Sequence, residues 1–176
     1  MSGHNKFSKI KHQKAKNDGQ KSKVFGKLVR FITVEAKKAG GNLKSPGLSL
    51  AIEKAKKENM PNDTIERAIK KATTDNSATM ENITYESYGP GGVAILIEAL
   101  TDNRNKAAQE VKAILSRHGS ELASPGSASW AFAKSAEGIV ANTTIPLKDS
   151  DIEKLHALVE ELEENDEVQD VYTNAE

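Results

Sequence analysis

Cysteine is absent from this chain of 176 residues. That excludes disulfides, thiolate metal sites and a thiol nucleophile, and it suits a reducing compartment. Aromatic residues make up only 5% of the chain, with a single tryptophan, so few side chains are available to stack on a base. Long apolar runs are missing as well. The longest, Val93 to Ile97, is strand-sized and far short of the roughly 20 residues a membrane span needs. No arginine occurs before Arg30, and the first lysines have no apolar segment behind them. Both features argue against an organellar transit peptide or a secretory signal. The expectation is a cytoplasmic protein.

What is present is charge, and it is segregated. The chain as a whole is neutral, with 25 basic and 25 acidic residues. Residues 1–72 nevertheless hold 18 Lys+Arg and 6 Asp+Glu, a balance of +12, while residues 73–176 hold 7 and 19, a balance of −12. Residues 149–176 alone carry eleven acids and one lysine. Such asymmetry between halves points to a polyanionic partner for the basic half.

Residues 1–19 show no apolar periodicity and read as a mobile basic arm. From Gln20 to Ala39 the pattern is helical. At ~100° per residue, Val24, Phe25, Leu28, Val29, Phe31 and Ile32 fall within an arc of about 160°. Lys23, Lys27, Arg30, Lys37 and Lys38 occupy a separate arc of about 100°, interrupted by Val34. Gly40-Gly41 ends this helix. Ser45-Pro46 fits an N-cap followed by a first-turn proline, opening a helix to about Asn59. Asp63 to Glu66 has capping-box spacing and opens a third helix through Ala72. Residues 20–72 thus read as a basic three-helix domain, and polar, aperiodic 73–82 as a linker.

Residues 83–176 read differently. "ITYESYGPGG" is a short alternating stretch and a turn; Val93 to Leu100 is a buried strand; Asp102 or Asn103 caps a helix to His118. "SASWAFA" alternates as a strand, and Ala136-Glu137-Gly138 closes a hairpin onto "GIVANTTI". Asp149 to Asn165 is an amphipathic helix with Ile152, Leu155, Leu158, Val159 and Leu162 inward, and "VQDVYT" is a last strand. The class is α+β: an N-terminal three-helix bundle followed by an acidic, ferredoxin-like β-α-β-β-α-β domain.

Gly89 to Ala94 matches a dinucleotide fingerprint by letter, yet a strand follows it where the fingerprint needs a helix. It reads as a turn. His4, His12, His118 and His156 have no ligand spacing, so no metal or other cofactor is expected. No nucleophile elbow accompanies Ser116-Arg117-His118. An enzyme is not expected, nor a small-molecule substrate. The strong signal is the arm together with the first helix: Lys6, Lys9, Lys11, His12, Lys14, Lys16, Lys21, Lys23, Lys27, Arg30, Lys37 and Lys38. Lysines recurring every two to five residues suit a phosphate backbone.

"GHNKFSKIKHQKAK", "KVFGKLVRFITVEAKKAGGN", "MPNDTIERAIKK" and "YGPGGVAILIEALTDNRN" resemble the YebC/PmpR family over nearly the whole chain. Its members are called probable transcriptional regulatory proteins, and its mitochondrial relatives are translational activators of cytochrome c oxidase. The resemblance implies a non-enzymatic protein that binds duplex DNA in some members and acts at the ribosome in others, easing translation of proline-rich stretches. Asn5, Phe7 and Gln13 depart from the usual serine, tryptophan and arginine. The resemblance also implies a shortened form: family members carry an extra α/β domain between the equivalents of "EGIVAN" and "TIPLKDSDIEKL", which are joined directly here. The expected function is therefore nucleic-acid binding that regulates gene expression, on duplex DNA or ribosomal RNA and in the latter case with the ribosome as partner. The alternative is a protein-binding adapter whose arm only solubilises.

Overall fold

In a computed structural model, residues 18–75, 79–136 and 138–176 are described. Their Cα packing divides them into two compact units, meeting in sequence at Met80–Glu81.

The first unit is three helices: α1 (Asp18–Lys38), α2 (Pro46–Lys57) and α3 (Asn62–Thr74). Gly40 and Gly41 take φ of +58° and +81°, the left-handed conformation that lets the chain leave α1 without a steric penalty. Ser45 sits at the N-cap of α2 with Pro46 following, as expected, but its side chain makes no capping hydrogen bond. The capping-box reading of α3 is corrected. Its N-cap is Pro61, whose carbonyl accepts from the N–H groups of Thr64 and Ile65 at 3.0 and 3.2 Å. Asp63 then lies in the first turn, where a carboxylate favours the positive end of the helix dipole. The core joins Ile32 and Ala36 of α1 to Leu48, Ala51 and Ala55 of α2 and Ile65, Ala68 and Ala72 of α3. Phe25, Leu28, Val29 and Phe31 pack partly buried around it.

The second unit holds β1 (Glu81–Tyr88), β2 (Ala94–Thr101), α4 (Arg104–Arg117), β3 (Leu122–Ala123), β4 (Phe132–Ser135), β5 (Gly138–Ala141), α5 (Asp149–Glu164) and β6 (Val168–Thr173). The α+β class holds, but the β-α-β-β-α-β order is corrected: counted from β2 it is β-α-β-β-β-α-β, because the two-residue β3 lies between α4 and β4. The pairing differs from a single ferredoxin-like sheet. "ITYESY" lies in a full strand paired along its length with β2, giving a four-stranded antiparallel sheet in the order β3-β1-β2-β6. The β4–β5 hairpin forms a two-stranded sheet of its own.

Alternation along β2 explains why two layers form. Val93, Ile95 and Ile97 face Val111, Ile114 and Leu115 of α4 and Leu155, Leu158 and Leu162 of α5. Ala94 and Leu96 on the opposite side pack with Ala128, Ala131 and Phe132. A strand buried on both faces reads as a continuous apolar run, and "VAILI" is one. The five residues expected to point inward from α5 are the five it buries. At Asn103 the helix cap is as expected, with its side chain accepting from the Lys106 N–H at 3.1 Å. The Gly89–Val93 connection is a tight turn between antiparallel strands, closed by the Gly89 N–H to the Val93 carbonyl at 2.9 Å.

"SASWAFA" is corrected from strand to a single 3-10 turn, Ser129–Ala131, with only Phe132 and Ala133 of the stretch in a strand. The cause is Glu86. Its buried carboxylate accepts from the N–H groups of Gly126, Ala128 and Ser129, so these donors are committed to a side chain and cannot join a ladder. Beyond β5, Asn142 to Leu147 runs directly into α5. Ile145 forms a parallel bridge to Ala175, and Leu147 packs on the main core.

Candidate nucleic-acid interface

The cations of α1 owe their placement to the apolar residues opposite them. Burying Ile32 and Ala36 in the helical core fixes the rotation of the helix about its axis. The arc of Lys23, Lys27, Arg30 and Lys37 must then face elsewhere. Lys21, Lys23 and Lys38 are exposed, and Lys27, Arg30 and Lys37 are half-buried. Long side chains of this type bury their stems and keep the charged head in water. Lys21 stands apart from the others, since ~100° steps put it on the side of Leu28 and Ile32. Lys38 is already paired, its ammonium 3.1 Å from Glu35. Val34, which interrupts the cationic arc, is buried at 5% exposure. Lys6, Lys9, Lys11, His12, Lys14 and Lys16 lie outside the described residues.

The unit carries further cations that the arm-and-helix reading did not single out. Lys44, Lys56, Lys57, Arg67, Lys70 and Lys71 are exposed or half-buried on the loop after α1 and on α2 and α3. Lys57 is paired with Glu53 at 3.2 Å, and Arg67 donates to the Asp63 carbonyl at 3.2 Å. Lys54 stands over the Phe31 ring, 5.4 Å from its centre. The signal for these lay in the same charge balance, spread over three helices. Such a surface can attract and neutralise a chain of phosphates.

A family profile described as the TACO1/YebC protein N-terminal domain matches residues 5–75, and one described as the TACO1/YebC second and third domain matches 80–140 and 134–175. The chain belongs to the TACO1/YebC family. This is a family of regulators, not of enzymes. A "Probable transcriptional regulatory protein" of Fervidobacterium nodosum is 47% identical over 171 residues, covering 96% of this chain and 68% of the relative. One of the same description from Halothermothrix orenii is 45% identical over 165 residues, covering 93% of this chain and 63% of the relative. The chain thus spans about two thirds of the length of these relatives. The two stretches matched by the second profile overlap at 134–140, just before the Asn142–Thr144 junction where the resemblance puts the shortening. A crystal structure of a conserved hypothetical protein from Aquifex aeolicus superposes with a TM-score of 0.78 at 30% identity, covering 92% of this chain and 93% of that one. The α+β architecture of this TACO1/YebC protein is therefore that of a solved relative. None of its described helices is long and apolar enough to cross a membrane.

Proposed function

We propose that this protein binds nucleic acid through the lysine-rich segment 1–19 and the cationic side of α1, and thereby regulates gene expression in the cytoplasm without catalysis. The observation that carries the reading is the division of α1: one side held in the helical core, the other presenting Lys23, Lys27, Arg30 and Lys37. The relatives' description as transcriptional regulators supports it.

Lysines neutralise either kind of backbone, so the choice of polyanion turns on base readers. Sequence-specific duplex readers add Asn, Gln or Arg side chains that reach base edges from an ordered element. The cationic arc of α1 holds one arginine and, at its edge, Gln20, with no second Asn or Gln at helical spacing to complete an adenine-reading pair. Backbone-dominated binding suits a large structured RNA recognised by shape, and ribosomal RNA is the favoured target.

The test has two parts. Binding should weaken steeply with salt, with a log–log slope of about −0.7 to −0.9 per neutralised phosphate, and replacing Lys9, Lys11 and Lys14 by Ala should flatten it. Lysate sedimented through sucrose at near-physiological salt should show the protein with ribosomes, resistant to DNase and lost with RNase. A discrete DNase footprint upstream of a gene, without ribosome association, would establish a DNA-binding regulator instead. Salt-insensitive association and an unaffected triple mutant would leave the protein-binding adapter.

A further inference from the structure

We infer that Trp130 and Tyr88 form a stacking platform for an unpaired nucleobase, a second contact on the polyanion that the cations of α1 engage; the inference rests on the nucleic-acid reading above. Trp130 is the only tryptophan of the chain, and it is 57% exposed; Tyr88, at the end of β1, is 39% exposed. The two rings are tied together, with the indole Nε1–H donating to the Tyr88 hydroxyl at 3.1 Å and that hydroxyl donating to the Ser127 carbonyl.

The support beneath them is rigid. Glu86 grips three backbone N–H groups of the loop, Ser87 Oγ donates to the Glu121 carbonyl at 2.7 Å, and Ala131 and Phe132 anchor the chain after Trp130 in the core. A buried carboxylate spent on holding one loop fixes where an exposed indole stands.

The chemistry of the pair selects the ligand. Both polar tips donate within the pair or to the loop, so what remains for a partner is ring face. Base stacking needs that and tolerates the absence of directional donors. A protein partner would need roughly 800 Å² per side around an apolar centre. Here the exposed loop neighbours are Ser124, Pro125, Gly126 and Ser129, so beyond the two rings the loop adds one small apolar side chain, with Val140 exposed on the neighbouring hairpin, a patch short of that size. Phosphate is not the ligand, because the half of the chain carrying the pair is acidic. Duplex bases hide their faces in the stack, so only an unpaired base fits.

Because Trp130 is the sole tryptophan, its fluorescence in the full chain reads this site alone. Short oligouridine and a duplex DNA of equal length, each end-labelled, are titrated while anisotropy reports binding and indole emission reports the platform. Oligouridine should quench Trp130 in step with the anisotropy rise, and duplex DNA should raise anisotropy without quenching. Trp130→Ala should weaken oligouridine binding by about tenfold and leave duplex binding unchanged, with Trp130→Phe retaining most of the affinity. Should Trp130→Ala unfold, quenching of the native chain and the Phe variant still decide. Oligouridine binding without quenching, or equal quenching by duplex, overturns the platform and leaves the cationic interface standing. No anisotropy change with either nucleic acid overturns both.

Discussion

At the scale of single residues, Glu86 shows how one side chain shapes a segment. Burial alone would raise its pKa, but the backbone N–H groups of Gly126, Ala128 and Ser129, with the Ser129 side chain, hold it below the ordinary value of 4.5. A folded-state pKa below the unfolded one gives stability that is complete above the unfolded value and is lost as pH falls through the folded one. Acidification below about pH 4.5 should therefore erode the contribution. Glu86→Gln replaces an acceptor by a donor against at least one N–H and should cost about 1.5–3 kcal/mol near neutral pH. Urea unfolding of both proteins across the acidic range checks this: the gap should narrow as pH drops, and a constant gap would rule out the ionised clamp. Gly91 makes a separate case. Its φ is +72°, and a Cβ there would run into Leu147. Gly91→Ala should be destabilising by about 1–2 kcal/mol from the backbone conformation alone, with the clash added, read as a lowered urea midpoint at unchanged m-value.

At the scale of elements, what could be read from the sequence was what repeats. The inward set of α5 follows the helical period, and all five residues are buried. The cationic and apolar arcs of α1 follow the same period. What the sequence hid was long-range. Nothing near "SASWAFA" announces that Glu86, some forty positions earlier, would take its N–H groups. Alternation without knowledge of the donors' partners could not distinguish a strand from a pinned turn. Nor does local pattern reveal that β4–β5 pairs only with itself, because sheet membership is decided by which strands meet. The platform of Trp130 and Tyr88 was unreadable for the same reason, since it depends on a hydrogen bond between residues 42 positions apart.

The regular elements still yield sharp expectations. Leu158, fully buried between α5 and the sheet, should cost about 2–5 kcal/mol when cut to Ala, depending on how far the site collapses. On α1, replacing Lys23, Lys27 and Arg30 by Ala should reduce the salt slope of nucleic-acid binding by about 0.7–0.9 for each phosphate that is no longer neutralised. Lys38→Ala, a single change in a residue paired with Glu35, should lower the slope by about 0.7–0.9 at most, one phosphate's worth. Fluorescence anisotropy at several salt concentrations separates the cases. Equal slopes in all three proteins would move the interface off α1.

At the scale of the molecule, the neutral total conceals two halves of opposite sign. The basic half has the cations and a small helical core rich in alanine. The acidic half has the larger core, with the sheet covered by α4 and α5 on one face and by the 3-10 turn and hairpin on the other. Its closing hydrogen bonds are internal. Asn174, fully buried, accepts from the Ala94 N–H at 2.8 Å, and Ile145 donates to the Asn174 carbonyl at 2.8 Å. The segment that joins β5 to α5 is therefore built into the unit rather than looped over it. The direct junction between β5 and α5 thus accompanies a complete sheet and two complete helices. Residues 79–176 expressed alone should accordingly unfold in one cooperative urea transition. Carrying an excess of acid and none of the α1 cations, that fragment should bind oligouridine and duplex DNA far more weakly than the full chain at the same salt. Circular dichroism during the titration and anisotropy with each nucleic acid provide the two readouts. A broad, non-cooperative transition would show that the acidic half depends on the helices for its fold. Retained tight binding would place the principal nucleic-acid interface in the acidic half and remove it from α1.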